Sequence, residues 1–227
     1  MNFLRTKILD DSSLLEIKKL ISCCSESQWE TGLKTFKGVS QTKNNLELSN
    51  PYITGKIFDI TQECLKKSVE FNEYAFPKDV DNILITKTVK GGYYHPHTDI
   101  GFNGHLSTTI FLNDPEDYSG GELCFYVDGD EKKIKLKSGY SITYPTGIPH
   151  RVNEVTSGER LALVFWTRSL FKDPIMREIC SELSSIKFGS DEEQFVQPFP
   201  DFEKVVSQNS FKLTNVINKL IRTYGDI

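Results

Sequence analysis

The sequence predicts a mainly β protein with α-helices at both ends. Apolar residues recur at helical spacing before residue 80, change to short strand-like runs from about residue 82, and return to helical spacing after residue 168. The strand-like runs are rich in Ile, Val, Thr, Tyr and Phe, and they are separated by Gly, Asp, Asn and Pro. Such closely spaced short strands are typical of a β-sandwich or barrel.

The helical pattern occurs in four segments, residues 12–24, 57–72, 173–186 and 212–224. The first begins with serines that can cap a helix, and the second stops before Pro77. The third begins with Asp173 followed by Pro174, a favourable pair for a cap and a first helical position. Between the first two helices we expect turns and short extended pieces, and residues 189–194 predict a loop.

The strand pattern occurs in six runs, NILITKTVKGG, HLSTTIFLND, GELCFYVDG, EKKIKLKSG, YSITYPTG and RLALVFWTRS. They predict a β-rich core over residues 81–170. We expect residues 1–80 to form a helical support region packed on this core, and residues 171–227 to form a helical extension. The apolar stripes of that extension require burial, either on the sandwich or in a homodimer contact, and the sequence leaves both open.

Composition excludes several classes of protein. With 227 residues, 38% of them hydrophobic and 26% charged, the chain has the composition of a globular domain. A formal net charge of −4 argues against general nucleic-acid binding. No apolar run approaches the roughly 18 residues of a membrane span, and no secretory signal is recognisable, so we expect a cytoplasmic protein. Five cysteines without a CxxC pair predict reduced thiols rather than a disulfide framework.

Half of the four histidines fall in the stretch YYHPHTDIGF, at His95 and His97. Side chains alternate along a strand, so His97 and Asp99 can point into the same cavity. His150, in YPTGIPHRV at the start of a later strand, can approach them across a sandwich. Two imidazoles and a carboxylate form the facial triad of non-haem Fe(II) oxygenases. A solvated loop, a structural zinc site and a proton shuttle are the alternative interpretations of the histidines alone.

Arg160 is the candidate anchor for an acidic co-substrate. It opens the strand RLALVFW ten residues after His150, and an even offset keeps both residues on one face of an extended segment. A guanidinium binds a carboxylate through two parallel hydrogen bonds, so Arg160 would suit the acidic tail of 2-oxoglutarate. An exposed arginine at the end of a strand is the alternative.

Several motifs together resemble the Fe(II)/2-oxoglutarate-dependent dioxygenases, and specifically the bacterial PKHD-type hydroxylases. These motifs are HTD at 97–99, IFLNDPEDYSGGEL, YPTGIPHRV and VTSGERLALVFW, with WETG, KNNLEL and the closing VINKLIRTYGDI outside the core. The resemblance covers nearly the whole chain. It implies a double-stranded β-helix, or jelly roll, with helices packed outside. It also implies that His97, Asp99 and His150 bind iron and that Arg160 binds 2-oxoglutarate.

The same resemblance implies the reaction. Oxygen and 2-oxoglutarate would be consumed, succinate and CO2 released, and a substrate hydroxylated, with L-ascorbate as the reductant that keeps the iron as Fe(II). The substrate would be a prolyl or other residue of a protein, or a small molecule. A non-catalytic jelly-roll module that binds metal or 2-oxoglutarate and a zinc hydrolase are the competing hypotheses. A serine hydrolase is disfavoured because no GxSxG motif occurs.

The chain departs from its relatives at two places. Many relatives carry Arg-Tyr or Lys-Tyr where this chain has Lys87 and Thr88, so we expect a tyrosine contact to the co-substrate to be lost or replaced. Tyr144 is the candidate replacement, and packing within the sandwich is its alternative role. The connection after Asp99 is also shorter than in the relatives, and loops of this kind usually determine specificity.

Other polar and aromatic residues have a structural interpretation beside a functional one. His95 could line the substrate entrance or be solvated, and His105, after a turn signal, is expected to be exposed. Trp166 could flank the co-substrate, although core packing is favoured. For Asn44 and Asn45 we favour turn formation over ordering of a loop on the substrate side.

Overall fold

The computed structural model describes residues 3–34, 42–81, 83–99, 104–127, 129–188 and 202–225. The predicted loop at 189–194 and residues 100–103 of the connection after Asp99 lie outside the described residues. All structural statements below concern the described part of the chain.

Five α-helices lie in the described ranges, at the two ends of the sequence. Their bounds are α1 Asp11–Ser22, α2 Pro51–Lys67, α3 Val69–Ala75, α4 Pro174–Phe188 and α5 Phe202–Tyr224. None of the described helices is both long enough and apolar enough to cross a membrane.

The predicted second helix is divided in two, which corrects the single helix expected over residues 57–72. Asn50 accepts hydrogen bonds from Tyr52 N and Ile53 N, so α2 begins earlier than expected, with Pro51 in its first turn. Ser68 has an extended backbone, ends α2, and caps α3 by accepting from Phe71 N. The fourth predicted helix also begins ten residues earlier than expected, at Phe202, which adds almost three turns.

The strands occupy most of the middle of the chain. Their bounds are β1 Leu4–Lys7, β2 Trp29–Thr31, β3 Lys43–Asn44, β4 Leu46–Leu48, β5 Pro77–Val80, β6 Leu84–Val89, β7 Tyr93–His97, β8 Leu106–Phe111, β9 Tyr118–Gly120, β10 Leu123–Val127, β11 Asp130–Ile134, β12 Tyr140–Pro145, β13 His150–Val152 and β14 Val155–Ser169. The predicted runs are therefore confirmed as strands.

The described strands form two antiparallel sheets. The larger sheet has the order β1-β12-β8-β14-β6-β4-β2, with β5 and β9 also paired to β14. The smaller sheet has the order β11-β10-β13-β7-β3. Strand β14 is the centre of the larger sheet, since its fifteen residues pair with β6, β8, β5 and β9.

The segment before residue 81 does more than support the core from outside. Strand β1 pairs with β12, β2 and β4 extend the larger sheet beyond β6, and β3 extends the smaller sheet beside β7. The chain therefore passes from one sheet to the other between Asn44 and Leu46. This crossing lies on one side of the space between the sheets.

Apolar residues pack in two clusters. The larger cluster joins α1, α2 and α3 to the larger sheet and includes Ile17, Ile57, Phe71, Ile85 and Phe165, all fully buried. A second cluster lies between the sheets and includes Phe111, Phe125, Ile142 and Tyr144. Helix α4 is fixed against α3 because the buried guanidinium of Arg177 donates to Tyr74 O at 3.0 Å.

Candidate metal and co-substrate site

Strand pairing brings the three predicted metal ligands together. His150 on β13 is the direct partner of His97 on β7, and Asp99 follows β7 by two residues. Asp99 Oδ1 lies 3.6 Å from His97 Nε2, and Asp99 Oδ2 lies 3.7 Å from His150 Nε2. The candidate ligand atoms of all three residues lie within 4.8 Å of one another, which is close enough to surround one ion.

Main-chain carbonyl groups orient both imidazole rings. His97 Nδ1 lies 2.8 Å from His95 O, and His150 Nδ1 lies 2.9 Å from Ile148 O. A carbonyl oxygen can only accept, so each Nδ1 carries the proton and donates it, and each Nε2 lone pair faces Asp99. This is the tautomer that binds a metal ion through Nε2.

The carboxylate of Asp99 is fixed by hydrogen bonds as well. Ser107 Oγ donates to Asp99 Oδ2 at 2.6 Å, and the Asp99 main-chain N–H donates to Thr146 O at 2.9 Å. Asp99 is only 4% exposed. The carboxylate is thus held in place without a charged partner such as lysine or arginine in contact with it among the described residues.

Burial keeps the His97 ring neutral. Burial, with a smaller contribution from the nearby His150, lowers the pKa of His97 to about 4. The ring of Tyr94 stacks on His97, with ring centroids 3.6 Å apart and an interplanar angle of 17°. A neutral and immobilised imidazole can bind a metal ion without first losing a proton.

The triad opens into a cavity between the two sheets. The smaller sheet contributes Tyr94, His97, Leu123, His150 and Val152, and the larger sheet contributes Thr88, Thr109, Tyr144, Arg160 and Trp166. Concave spaces between packed sheets are common sites of small-molecule binding.

Arg160 projects from β14 into the same cavity. Its side chain is 3% exposed, and its Nε has no hydrogen-bond partner among the described residues. Burial lowers the pKa of Arg160, and the neighbouring hydroxyls of Tyr118 and Tyr144 oppose that shift. The guanidinium also lies 5.5 Å from the ring centroid of Phe111. A buried guanidinium that no described carboxylate neutralises is suited to bind an anion from solution.

Tyr144 lies between the triad and Arg160. It is 1% exposed, and its ring centroid is 5.1 Å from that of His150. Burial and the negative charge of Asp99 raise the pKa of Tyr144, whereas hydrogen bonds with Thr109 and Ser107 and the charge of Arg160 act in the opposite direction. The phenol is therefore neutral and can donate a hydrogen bond into the cavity.

Lys87 and Thr88, where the sequence departs from the pattern of the family it resembles, point to opposite faces of β6. Thr88 is 3% exposed and lines the cavity, so the position at which the resemblance led us to expect a tyrosine faces the site. Lys87 points to the opposite face of the strand, where its Nζ lies 3.1 Å from Glu26 Oε1 and 4.3 Å from the ring centroid of Trp29. Lys87 is therefore remote from the triad.

The other candidate residues divide between the cavity and the surface. Trp166 and Asn45 line the cavity, whereas His95 is exposed and Asn44 Nδ2 donates to Gly91 O at 3.1 Å.

The expectation that His105 is exposed is wrong. His105 is half-buried, because its Nδ1 accepts a hydrogen bond from Ser169 N at 3.1 Å and so joins the loop to the end of β14.

Two charged residues that line the cavity were not expected from the sequence. Lys43 and Glu47 line the cavity and form an ion pair of 2.8 Å, with 5% and 9% of their side chains exposed. The signal that could have found them is the alternation in KNNLEL, which puts residues 43, 45 and 47 on one face.

The amino-acid sequence is similar to a known family and to individual members of it. A family model described as the 2OG-Fe(II) oxygenase superfamily matches residues 83–168. A PKHD-type hydroxylase of Prochlorococcus marinus strain MIT 9301 is 35% identical over 191 residues, which cover 82% of this chain and 86% of the relative. A PKHD-type hydroxylase of Psychrobacter sp. strain PRwf-1 is 34% identical over 189 residues, which cover 78% and 72% of the two chains.

Solved structures share the fold at low sequence identity. A prolyl hydroxylase from Trichoplax adhaerens, in complex with a peptide fragment of the hypoxia inducible factor oxygen degradation domain, is 15% identical with a TM-score of 0.54. The match covers 81% of this chain and 87% of that chain. A prolyl-4-hydroxylase of Pseudomonas putida is 16% identical with a TM-score of 0.51 and covers 74% and 92% of the two chains.

The jelly-roll fold and the His-Asp-His site are those of the 2OG-Fe(II) oxygenase superfamily. Within that superfamily the chain belongs to the PKHD-type hydroxylases. It is therefore an oxidoreductase, a hydroxylase that depends on Fe(II) and 2-oxoglutarate, with a substrate still to be identified. The predicted fold class and reaction class are confirmed, and the non-catalytic and hydrolase alternatives are not favoured.

Proposed function

We propose that His97, Asp99 and His150 hold Fe(II), and that Arg160 binds the distal carboxylate of 2-oxoglutarate with Tyr144 beside it. The observation that carries this assignment is the shared cavity, because the triad and an unneutralised buried guanidinium open into the same space between the sheets. The donor set also fits the metal, since two imidazoles and one carboxylate leave coordination positions open.

The bound iron and 2-oxoglutarate would supply oxidation of the substrate by O2, with succinate and CO2 as the other products. The chain's own residues would fix the geometry. The carbonyl groups of His95 and Ile148 hold the imidazole rings, and Ser107 holds the Asp99 carboxylate. The apolar ring of Tyr94 covers one face of His97 and excludes water from it.

For the substrate we propose a residue of a protein or peptide, prolyl or other, with a small molecule as the second candidate. The Trichoplax prolyl hydroxylase of similar fold binds a peptide fragment, which supports the first choice. We propose L-ascorbate as the reductant that maintains Fe(II). A homodimer contact through the C-terminal helices, a cytoplasmic location and the division at residues 80 and 170 are further proposals that rest on the sequence.

An anaerobic titration tests the assignment of the site. Fe(II) and then 2-oxoglutarate are added to metal-free protein, and the weak visible charge-transfer band of chelated iron is recorded. We expect the band in the parent, no retained iron in His97→Ala, and retained iron with about 100-fold weaker 2-oxoglutarate binding in Arg160→Ala. Arg151→Ala is the matched control, because Arg151 is paired with Glu131 at 2.7 Å and does not line the cavity.

Three results would count against the proposal. Loss of iron in Arg160→Ala would give Arg160 a role in the metal site or in folding, and parent-like affinity for 2-oxoglutarate would remove it from the co-substrate site. Iron binding without a charge-transfer band in the parent would contradict the whole assignment.

A further inference from the structure

A polar wall closes one side of the cavity where the chain crosses between the sheets. This wall consists of Lys43, Asn45 and Glu47. Lys43 belongs to β3 and lies opposite Tyr94 of the smaller sheet, whereas Glu47 belongs to β4 and lies opposite Thr86 of the larger sheet. Alternation along the extended chain turns all three side chains toward the cavity.

The ion pair in the polar wall is unusual for its burial. Lys43 Nζ and Glu47 Oε1 are 2.8 Å apart, and both side chains are more than nine-tenths buried. Replacing a buried ion pair by apolar residues of similar size is often neutral or stabilising. Stability of the fold therefore does not require charged residues at these two positions.

The side chains of the polar wall are closely packed against the residues behind them. A Cβ atom on Gly32 would lie 2.2 Å from Asn45 Oδ1 and 2.9 Å from Glu47 Oε1. Gly32 thus packs closely behind the wall, and a larger residue there would displace the side chains of Asn45 and Glu47. On the cavity side, Lys43 Nζ lies 5.2 Å from the ring centroid of Tyr94, which itself stacks on His97. The wall and the triad therefore face the same part of the cavity.

The charges around the cavity limit the kind of substrate. Among the described residues, Lys43 and Arg160 are the cations that line the cavity and Glu47 and Asp99 are the anions, so these four charges cancel. Divalent iron and the dianion of 2-oxoglutarate also cancel. A substrate with a net charge would introduce an uncompensated charge into a buried site, which is unfavourable.

We propose that Lys43 and Glu47 bind the substrate, and that the group they bind is an uncharged amide. An ammonium group beside a carboxylate offers a donor and an acceptor side by side. The amide carbonyl would accept from Lys43 Nζ, and the amide N–H would donate to the Glu47 carboxylate. Such a group occurs in the peptide bond and in small amides. This inference rests on the proposed function, because it concerns the substrate of the same site.

The test uses the full chain loaded with Fe(II), 2-oxoglutarate and O2. One probe is a pool of N-acetylated, C-terminally amidated peptides that includes all twenty residue types. A second is a pool of single N-acetyl amino-acid amides, and a third contains organic acids and primary amines without an amide. Addition of one oxygen atom is detected by mass spectrometry. We expect product from the amide pools, and the first two pools distinguish a peptide from a small amide.

A double variant tests the two residues directly. Lys43→Met combined with Glu47→Met should keep the fold and the charge-transfer band, and should lower kcat/KM for the amide product by at least about 100-fold. Glu30→Met with Lys34→Met is the matched control, since this Lys–Glu pair has the same sequence spacing, is exposed, and does not line the cavity. It should behave as the parent in every measurement.

Charge exchange provides a second variant in case the apolar pair does not fold. Lys43→Glu with Glu47→Lys retains an ion pair but reverses its direction, so amide turnover should again fall. Parent-like turnover in either folded variant would overturn the inference, as would product from the acid or amine pool alone. No product from any pool, with a normal charge-transfer band, would also overturn it and leave the proposed function intact. Absence of the band in the parent would instead refute the proposed function itself.

Discussion

Ser107 on β8 donates a hydrogen bond of 2.6 Å to the carboxylate of Asp99, although eight residues separate them in the chain. A hydrogen bond from a residue that does not itself bind the metal orients the metal ligand, and loss of such a hydrogen bond commonly weakens metal binding by 10- to 100-fold. We expect Ser107→Ala to weaken Fe(II) binding by about 10-fold without unfolding the protein, as measured by competition with a chelator. Thr108→Val is the control, because Thr108 pairs with Thr143 at 2.9 Å instead. Equal iron loss in both variants would contradict a specific role for Ser107.

Removal of the Tyr144 hydroxyl should affect the co-substrate rather than the metal. Tyr144→Phe retains the ring against Phe125 and His150 but removes the donor between Asp99 and Arg160. We expect 2-oxoglutarate affinity to fall by about 3- to 10-fold, with iron affinity unchanged, because one neutral hydrogen bond is lost. Titration of the charge-transfer band measures both quantities. An unchanged affinity for 2-oxoglutarate would leave Tyr144 with a packing role only.

Gly32 supports the polar wall, so a methyl group there should be destabilising. We expect Gly32→Ala to lower the free energy of unfolding by about 1–3 kcal/mol, since the new atom would overlap with Asn45 and Glu47. Gly55→Ala is the matched substitution, because no atom lies within 4 Å of the added carbon in α2. There we expect stabilisation of about 0.5–1 kcal/mol. Urea denaturation of both variants tests the pair, and a tolerated Gly32→Ala would show that the wall can move.

His105 should make stability depend on pH. Burial first, and then the positive charges of Arg168, Arg177 and Lys172, lower the pKa of His105, while Asp79 acts in the opposite direction. The unfolded chain, with an ordinary histidine pKa of about 6.5, then binds more protons than the folded chain. The contribution of His105 to stability is therefore complete above about pH 6.5 and is lost as the pH falls below that value.

His105→Asn isolates this effect, because the amide oxygen can still accept from Ser169 N but does not titrate. We expect the free energy of unfolding to fall less steeply in the variant than in the parent between about pH 7.5 and about pH 5.5. Urea denaturation at the two pH values gives the comparison. If the free energy of unfolding fell equally in the parent and in the variant, the pH dependence would belong to other groups.

The parts of the site that the sequence predicted are those with a local signal. His97 and Asp99 share a face because strand side chains alternate, and His150 follows a recognisable turn before the next strand of the smaller sheet. Lys43 and Glu47 lie about 50 residues earlier, and only the passage of the chain from one sheet to the other brings them to the cavity. The alternation in KNNLEL puts residues 43, 45 and 47 on one face, but no local pattern encodes the crossing that turns this face toward the cavity.

The errors of prediction have similar physical causes. Ser68 divides the second helix because its side chain caps α3. The spacing of apolar residues continues across Ser68, so it gives no sign of a helix end there. His105 follows a turn signal, yet a main-chain donor of β14 approaches it from 64 residues away. In both cases a polar contact decides the structure, whereas the sequence pattern reports mainly on apolar burial.

The central position of β14 determines when the larger sheet can form during synthesis. Thr86 bonds to the Ala162 carbonyl across 76 residues, and Arg168 pairs with Asp79 across 89 residues. Strands β6 and β8 must therefore wait, unpaired on their inner edges, until the ribosome has released β14. Non-local pairing of this kind slows folding and leaves apolar edges open to aggregation. Arg160, the proposed anchor of the co-substrate, lies on this last strand, so the cavity forms only when the larger sheet closes.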